Sequence, residues 1–174
     1  METQTELHIT LATLTEIGAC DAARRQFVEV FGEDGNPTAR EVFAKLAESE
    51  RHDWLFWLNY HLQGFAQAVG TFSVGNYHCL LGGRLEIEVG FVLADGNASV
   101  LADGNASVEA DGNASVEAYG NATLFLFRYA DMTVKFTLKS IFACVIDRRG
   151  DGIPKLVTVT QAELDAAEAE AQTE

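Results

Sequence analysis

The chain has 174 residues, with 26 acidic and 12 basic side chains and a net charge of −14. Surfaces that grip nucleic-acid phosphates work through lysine and arginine releasing counterions, so this balance excludes direct nucleic-acid binding as the main role. An apolar fraction of 48% with only two prolines excludes a chain disordered by composition and leaves one large or two small folded domains.

The segment from Met1 to Glu6 is acidic and lacks both the basic region and the apolar run of a secretory signal. Nothing reaches the eighteen or so consecutive apolar residues of a membrane span. Cys20, Cys79 and Cys144 are widely spaced and make no disulfide framework. The expectation is therefore a cytoplasmic protein with reduced thiols and no membrane partner. Asn97, Asn105, Asn113 and Asn121 each open a glycosylation sequon, read here as a by-product of a repeat.

Residues 1–69 carry helix punctuation. A short apolar segment at Leu11, Leu14 and Ile17 stops at Gly18. Asp21 is placed to cap a second helix, with Phe27, Val30 and Phe31 on one side and Gly32 at its end. Thr38-Ala-Arg-Glu41 has the spacing of a capping box, followed by the buried stripe Val42, Phe43, Leu46 and Ala47. Asp53 is expected to cap a fourth helix, Trp54 to Leu62, which is apolar on nearly every side and so buried on several faces.

The main signal is a tandem octad. Asp95–Ala102, Asp103–Ala110 and Asp111–Ala118 are nearly identical, and Tyr119–Leu126 is a fourth copy. Degraded octads extend the frame back to Val74 and forward to Phe142, with Gly90–Ala94 as a truncated one. Eight is even, so the two-residue alternation of a strand keeps its phase through every copy. Positions four, six and eight point inward as Ala, Val and Ala. The odd positions point outward as Asp, Asn, Ser and Glu, and Gly at position two marks a corner needing positive φ or no Cβ.

Two architectures fit: a β-solenoid with two octads per coil, or an antiparallel meander with a hairpin at each Asp-Gly. The small inward Ala residues favour the solenoid, because closely apposed walls need small side chains. Ala118-Tyr-Gly-Asn-Ala-Thr123 resembles the repeat of bacterial ice-nucleation proteins, which implies similar coils; their Thr-x-Thr ladder is absent here. A helical leader before short tandem repeats also resembles uncharacterised phage and bacterial proteins. The predicted fold is thus α+β: a small helical bundle over 1–69, an octapeptide-repeat β-solenoid over 70–146, and a C-terminal strand and capping helix over 147–174. Lys155–Val159 is the expected last strand, and Thr160-Gln-Ala-Glu163 a second capping box opening that helix.

Catalytic and metal motifs are not found. His8, His52, His61 and His78 have no ligand spacing, and there is no phosphate-binding glycine loop, nucleophile elbow or Cys-x-x-Cys. The expectation is no enzyme, no cofactor and no catalytic metal. Asp147 and Asp151 echo part of a calcium loop, but Arg149 stands at the third ligand position.

Two surface features remain. Residues 70–126 hold seven acidic groups against one basic residue, Arg84. All seven, Glu86, Glu88, Asp95, Asp103, Glu109, Asp111 and Glu117, fall on outward positions as an acidic ladder; stacked like charges repel unless a cation or basic partner compensates. Tyr119, Phe125, Phe127 and Tyr129 fall outward in the same phase as an aromatic patch fit for an interface. The expected function is a non-enzymatic acidic binding protein. It would mimic nucleic acid and block a basic, nucleic-acid-binding partner, as phage anti-restriction and anti-CRISPR proteins do. The alternatives are a self-assembling repeat protein, a homodimer through the aromatic patch, or an ice- or calcium-binding repeat.

Overall fold

The computed structural model of the chain describes residues 6–126, 133–149 and 153–171. Two compact units divide it, Met1–Gly75 and Asn76–Glu174. Among the described residues no helix is long and apolar enough to cross a membrane.

The first unit carries α1 (Leu11–Glu16), α2 (Asp21–Phe31), α3 (Ala39–Glu48), α4 (His52–His61), α5 (Phe65–Val69) and strand β1 (Phe72–Val74). The Thr38–Glu41 capping box forms as expected: each side chain takes the other's free backbone N–H. A second box opens α1, made by Thr10 and Thr13. Asp21 and Asp53 do not cap. Cys20 and Arg51 occupy those positions, and each Asp sits in the first turn of its helix, where the helix dipole favours a negative charge. Asp53 is gripped by Arg51, whose guanidinium holds its carboxyl below the ordinary range. Ile9, Phe43, Leu55 and Phe65 are fully buried at the centre of the unit.

In the second unit, β2 (Tyr77–Ala110) runs for 34 residues without a break. It is followed by β3 (Ser115–Ala118), β4 (Thr123–Leu126), β5 (Lys135–Leu138), β6 (Cys144–Asp147), β7 (Lys155–Val157) and helix α6 (Gln161–Ala171). The strands lie in the order β5-β3-β2-β4-β6-β7. Ser99 pairs with Ser115 and Ser107 with Thr123, both parallel and sixteen residues apart. β5 and β6 extend this parallel stack, whereas β7 joins β6 antiparallel. The result is a mixed sheet curled into a half-barrel. Ala98, Val100 and Ala102 and their counterparts through Leu126 line its inner side, none more than 2% exposed.

This corrects the expected helical bundle followed by a β-solenoid with a C-terminal cap. The helices of the first unit are 5 to 11 residues long and interrupted by an antiparallel bridge from His8 to Thr38, so no bundle of long packed helices forms. The Asp-Gly-Asn corners at Asp95 and Asp103 do not end a strand. Gly96 and Gly104 take positive φ while the backbone stays in the ladder, so β2 bends rather than breaks. The antiparallel β7 makes the sheet mixed, and none of the residues of α6 is buried, as a cap over the sheet's edge would require.

The expected frame also slips beyond Leu126. Lys135 pairs with Ser115 at a separation of 20, and Cys144 with Thr123 at 21, where the octads give sixteen. An even insertion of four keeps the inward parity, so Val134, Phe136 and Leu138 take the inner side. An odd insertion of five flips it, which puts Ala143 and Val145 inside and leaves Phe142, expected inward, 68% exposed.

The corner glycines differ in what surrounds them. A Cβ on Gly104 would lie 2.4 Å from the Glu88 carbonyl oxygen, whereas one on Gly83 meets nothing within 4 Å; both residues have positive φ. Gly83→Ala should therefore cost about 1 kcal/mol, the backbone strain alone. Gly104→Ala should cost roughly 2–4 kcal/mol, because a carbonyl must also move. Urea unfolding of the two variants checks the ordering, which equal losses would contradict.

Candidate functional site

The outward row of the repeat sheet is where the candidate residues sit, and alternation alone does not decide their fate. Glu86, Glu88 and Glu117 are exposed, Asp103 and Asp111 are half-buried, and Asp95 and Glu109 are buried, at 6% and 3% exposure. The seven carboxylates therefore form no uniform ladder.

The three Asp residues share a local task. Oδ1 of Asp95, Asp103 and Asp111 each accepts a hydrogen bond from the backbone N–H of the next residue, Gly96, Gly104 and Gly112. A short acidic side chain at a glycine corner thus holds the turn from within. The stacking is tight. A Cβ on Gly112 would come within 2.9 Å of the Asp95 carboxylate, and one on Gly120 within 2.6 Å of that of Asp103.

Asp95 ends the strip Phe91–Asp95, in which every residue is buried. A run without alternation is the pattern of a strand covered on both sides. Burial raises the Asp95 carboxyl above its ordinary range; the Gly96 N–H lowers it, and the charge of Asp111 raises it further. Glu109 lies in register with Phe125 between the inward Val108 and Ala110.

The presented carboxylates are only lightly engaged. Arg84 reaches Glu86 at 3.1 Å, with both side chains about two-thirds exposed (65% and 66%), so the pair is screened by solvent. The Tyr119 hydroxyl donates to Glu117 at 3.2 Å. Burial, then the Glu117 carboxylate, raises that hydroxyl's pKa. Beside the acids runs a row of exposed amides, Asn97, Asn105, Asn113 and Asn121. Asn121 Nδ2 donates to Asn105 Oδ1 at 3.3 Å, and Thr133 donates to Asn113.

Of the aromatic patch, Tyr119 and Phe125 are half-buried, while Phe127 and Tyr129 lie outside the described residues. Large apolar side chains are instead exposed near the C-terminal strands, at Ile141, Phe142, Ile153 and Leu156. The odd insertion that ejects Phe142 is invisible in composition, so the octad frame could not announce it.

Among the described residues, no group of three His, Cys, Asp or Glu side chains is placed to hold a metal ion. Asp147, the first residue of the partial calcium-loop pattern, is taken by Arg149 in a two-pronged contact of 3.0 and 2.9 Å, which lowers its pKa. No protein-family model, curated protein or solved structure matches the chain.

Because the folded pKa of Asp95 lies above its unfolded value, its contribution to stability is fully present below the unfolded pKa and is lost as pH rises through the folded one. Asp95→Asn keeps an oxygen for the Gly96 N–H and removes the charge. The variant should melt above the parent at neutral pH, with the gap closing as pH falls toward about 4. Thermal melts across that range check it; a variant that melts lower at pH 7 would contradict the assignment.

Proposed function

We propose that this chain is a non-enzymatic acidic binding protein whose repeat sheet imitates the charge of nucleic acid and occupies the nucleic-acid site of a basic partner. The observation that carries the reading is the separation of the carboxylates into two groups. Asp95 and Glu109 are withdrawn into the fold, while Glu86, Glu88 and Glu117 stay at the surface with Arg84 as the one basic residue of 70–126. Three surface carboxylates against one arginine, held on a sheet, leave a net negative field, which steers a cationic partner and repels phosphates.

A second reading, self-association, draws on Phe142, Ile153 and Leu156, which are 68%, 91% and 67% exposed. Exposed apolar groups of this size favour contact with another surface. A monomer in sedimentation that is indifferent to salt and concentration would count against it.

The test of the main reading is affinity capture at low and high salt with the parent chain and two variants. Glu86→Gln/Glu88→Gln/Glu117→Gln should lose the partner, by about tenfold or more in affinity for three charges removed from a charge-steered interface. Asp95→Asn, which alters a withdrawn group, should retain it. High salt should release the partner from the parent, since screening shortens the reach of exposed charges. Retention by the triple variant at parental affinity would overturn the proposal.

A further inference from the structure

The helical unit contains a cavity of about 310 Å³, within the range of small-molecule sites. Its walls are aromatic: Phe27 and Phe31 of α2, with ring centroids 5.2 Å apart, and Trp54 and Trp57 of α4. Leu14, Val42 and Leu46 form a buried apolar floor. The side is open, because exposed Cys20 and 40%-exposed Val30 also line it.

Two charged residues line the cavity, and each already has a partner. Lys45 holds Glu48 at 3.0 Å, and Asp53 holds Arg51 at 2.9 Å. The two pairs balance each other's charge, so no net charge stands beside the cavity to offset that of an ionic ligand, and transfer of an uncompensated ion into an apolar site is strongly unfavourable. The chain's net charge of −14 further opposes an anion. Gln26 contributes a side-chain amide able to give and accept a hydrogen bond. Arg51 lies over the Trp54 ring at 4.0 Å and His61 packs on Trp57 at 4.5 Å, so these rings are already held in place as walls. A cavity walled by four such rings favours a flat partner, since offset and edge-to-face packing reward aromatic ligands beyond their area.

We infer that this cavity is a binding site for an uncharged, flat, largely apolar small molecule bearing one hydrogen-bonding group. The geometry makes the site easy to read, because the chain's only two tryptophans, Trp54 and Trp57, both line it. Indole emission therefore reports on the walls of this cavity.

The experiment titrates the full chain with 2-naphthol, and in parallel with 2-naphthalenesulfonate as a charged match, following tryptophan emission and heat. The expected result is saturable one-to-one binding of the naphthol and binding of the sulfonate weaker by about tenfold or more. Ala23→Phe, which grows a ring into the cavity, should reduce naphthol binding by a similar factor with native circular dichroism retained. A second readout does not depend on that variant folding. Naphthol should slow alkylation of Cys20 several-fold while leaving the half-buried Cys144 unaffected. Absence of saturable binding, equal affinity for the sulfonate, parental affinity in a folded Ala23→Phe chain, or unprotected Cys20 would each overturn the inference.

Discussion

The second unit depends on one constraint, parallel pairing at a fixed separation of sixteen residues. Ser99 stacks on Ser115 and Ser107 on Thr123, so each octad meets a near copy of itself. Pairing like with like holds every inward Ala and Val at one depth and every corner Gly over another corner. It also sets which residues can stand there. Gly104 approaches the Glu88 carbonyl so closely that a Cβ has no room, and Ala106 and Ala110 leave little space for larger side chains on the inner side. The price of that regularity is stacked carboxylates, Asp111 above Asp95, in which one raises the other's pKa.

The carboxylates thereby acquire two tasks. The aspartates at position one are tied to the following glycine N–H and belong to the turn. The glutamates at Glu86, Glu88 and Glu117 make weak surface contacts or none that restrain them strongly, and in the proposed function they are the charges a partner would meet. A charge of −14 spread evenly would say little about recognition. Divided into turn-locking and presented groups, it defines a face whose charge is removable by substitution without touching the corners.

Much of this was legible in the residues themselves. Evenness of the octad fixed the inward phase of Ala98 through Leu126, and the Thr38–Glu41 and Thr160–Glu163 spacings marked two capping boxes that form. What stayed hidden has physical reasons. Strand continuity through Gly96 and Gly104 depends on neighbours sixteen residues away, so local turn chemistry suggested breaks where the backbone only bends. The shift of Ala143 and Val145 to the inner side follows from one odd insertion, which no periodicity reveals beforehand. The burial of Asp95 did have a signal, the unalternating Phe91-Val-Leu-Ala94 before it, but Glu109 had none, because it stands at an outward position of an alternating octad and is buried all the same. The cavity between α2 and α4 is a property of packing, and the sequence offers only its ingredients.

Imitation of nucleic acid is tested most directly by mutual exclusion. The partner retained by the repeat sheet would be mixed with labelled duplex DNA and increasing amounts of this chain, with polarisation and sedimentation followed together. The expected result is that the chain displaces the duplex and that no complex contains both. A stable ternary complex, or a partner with no affinity for nucleic acid, would contradict it.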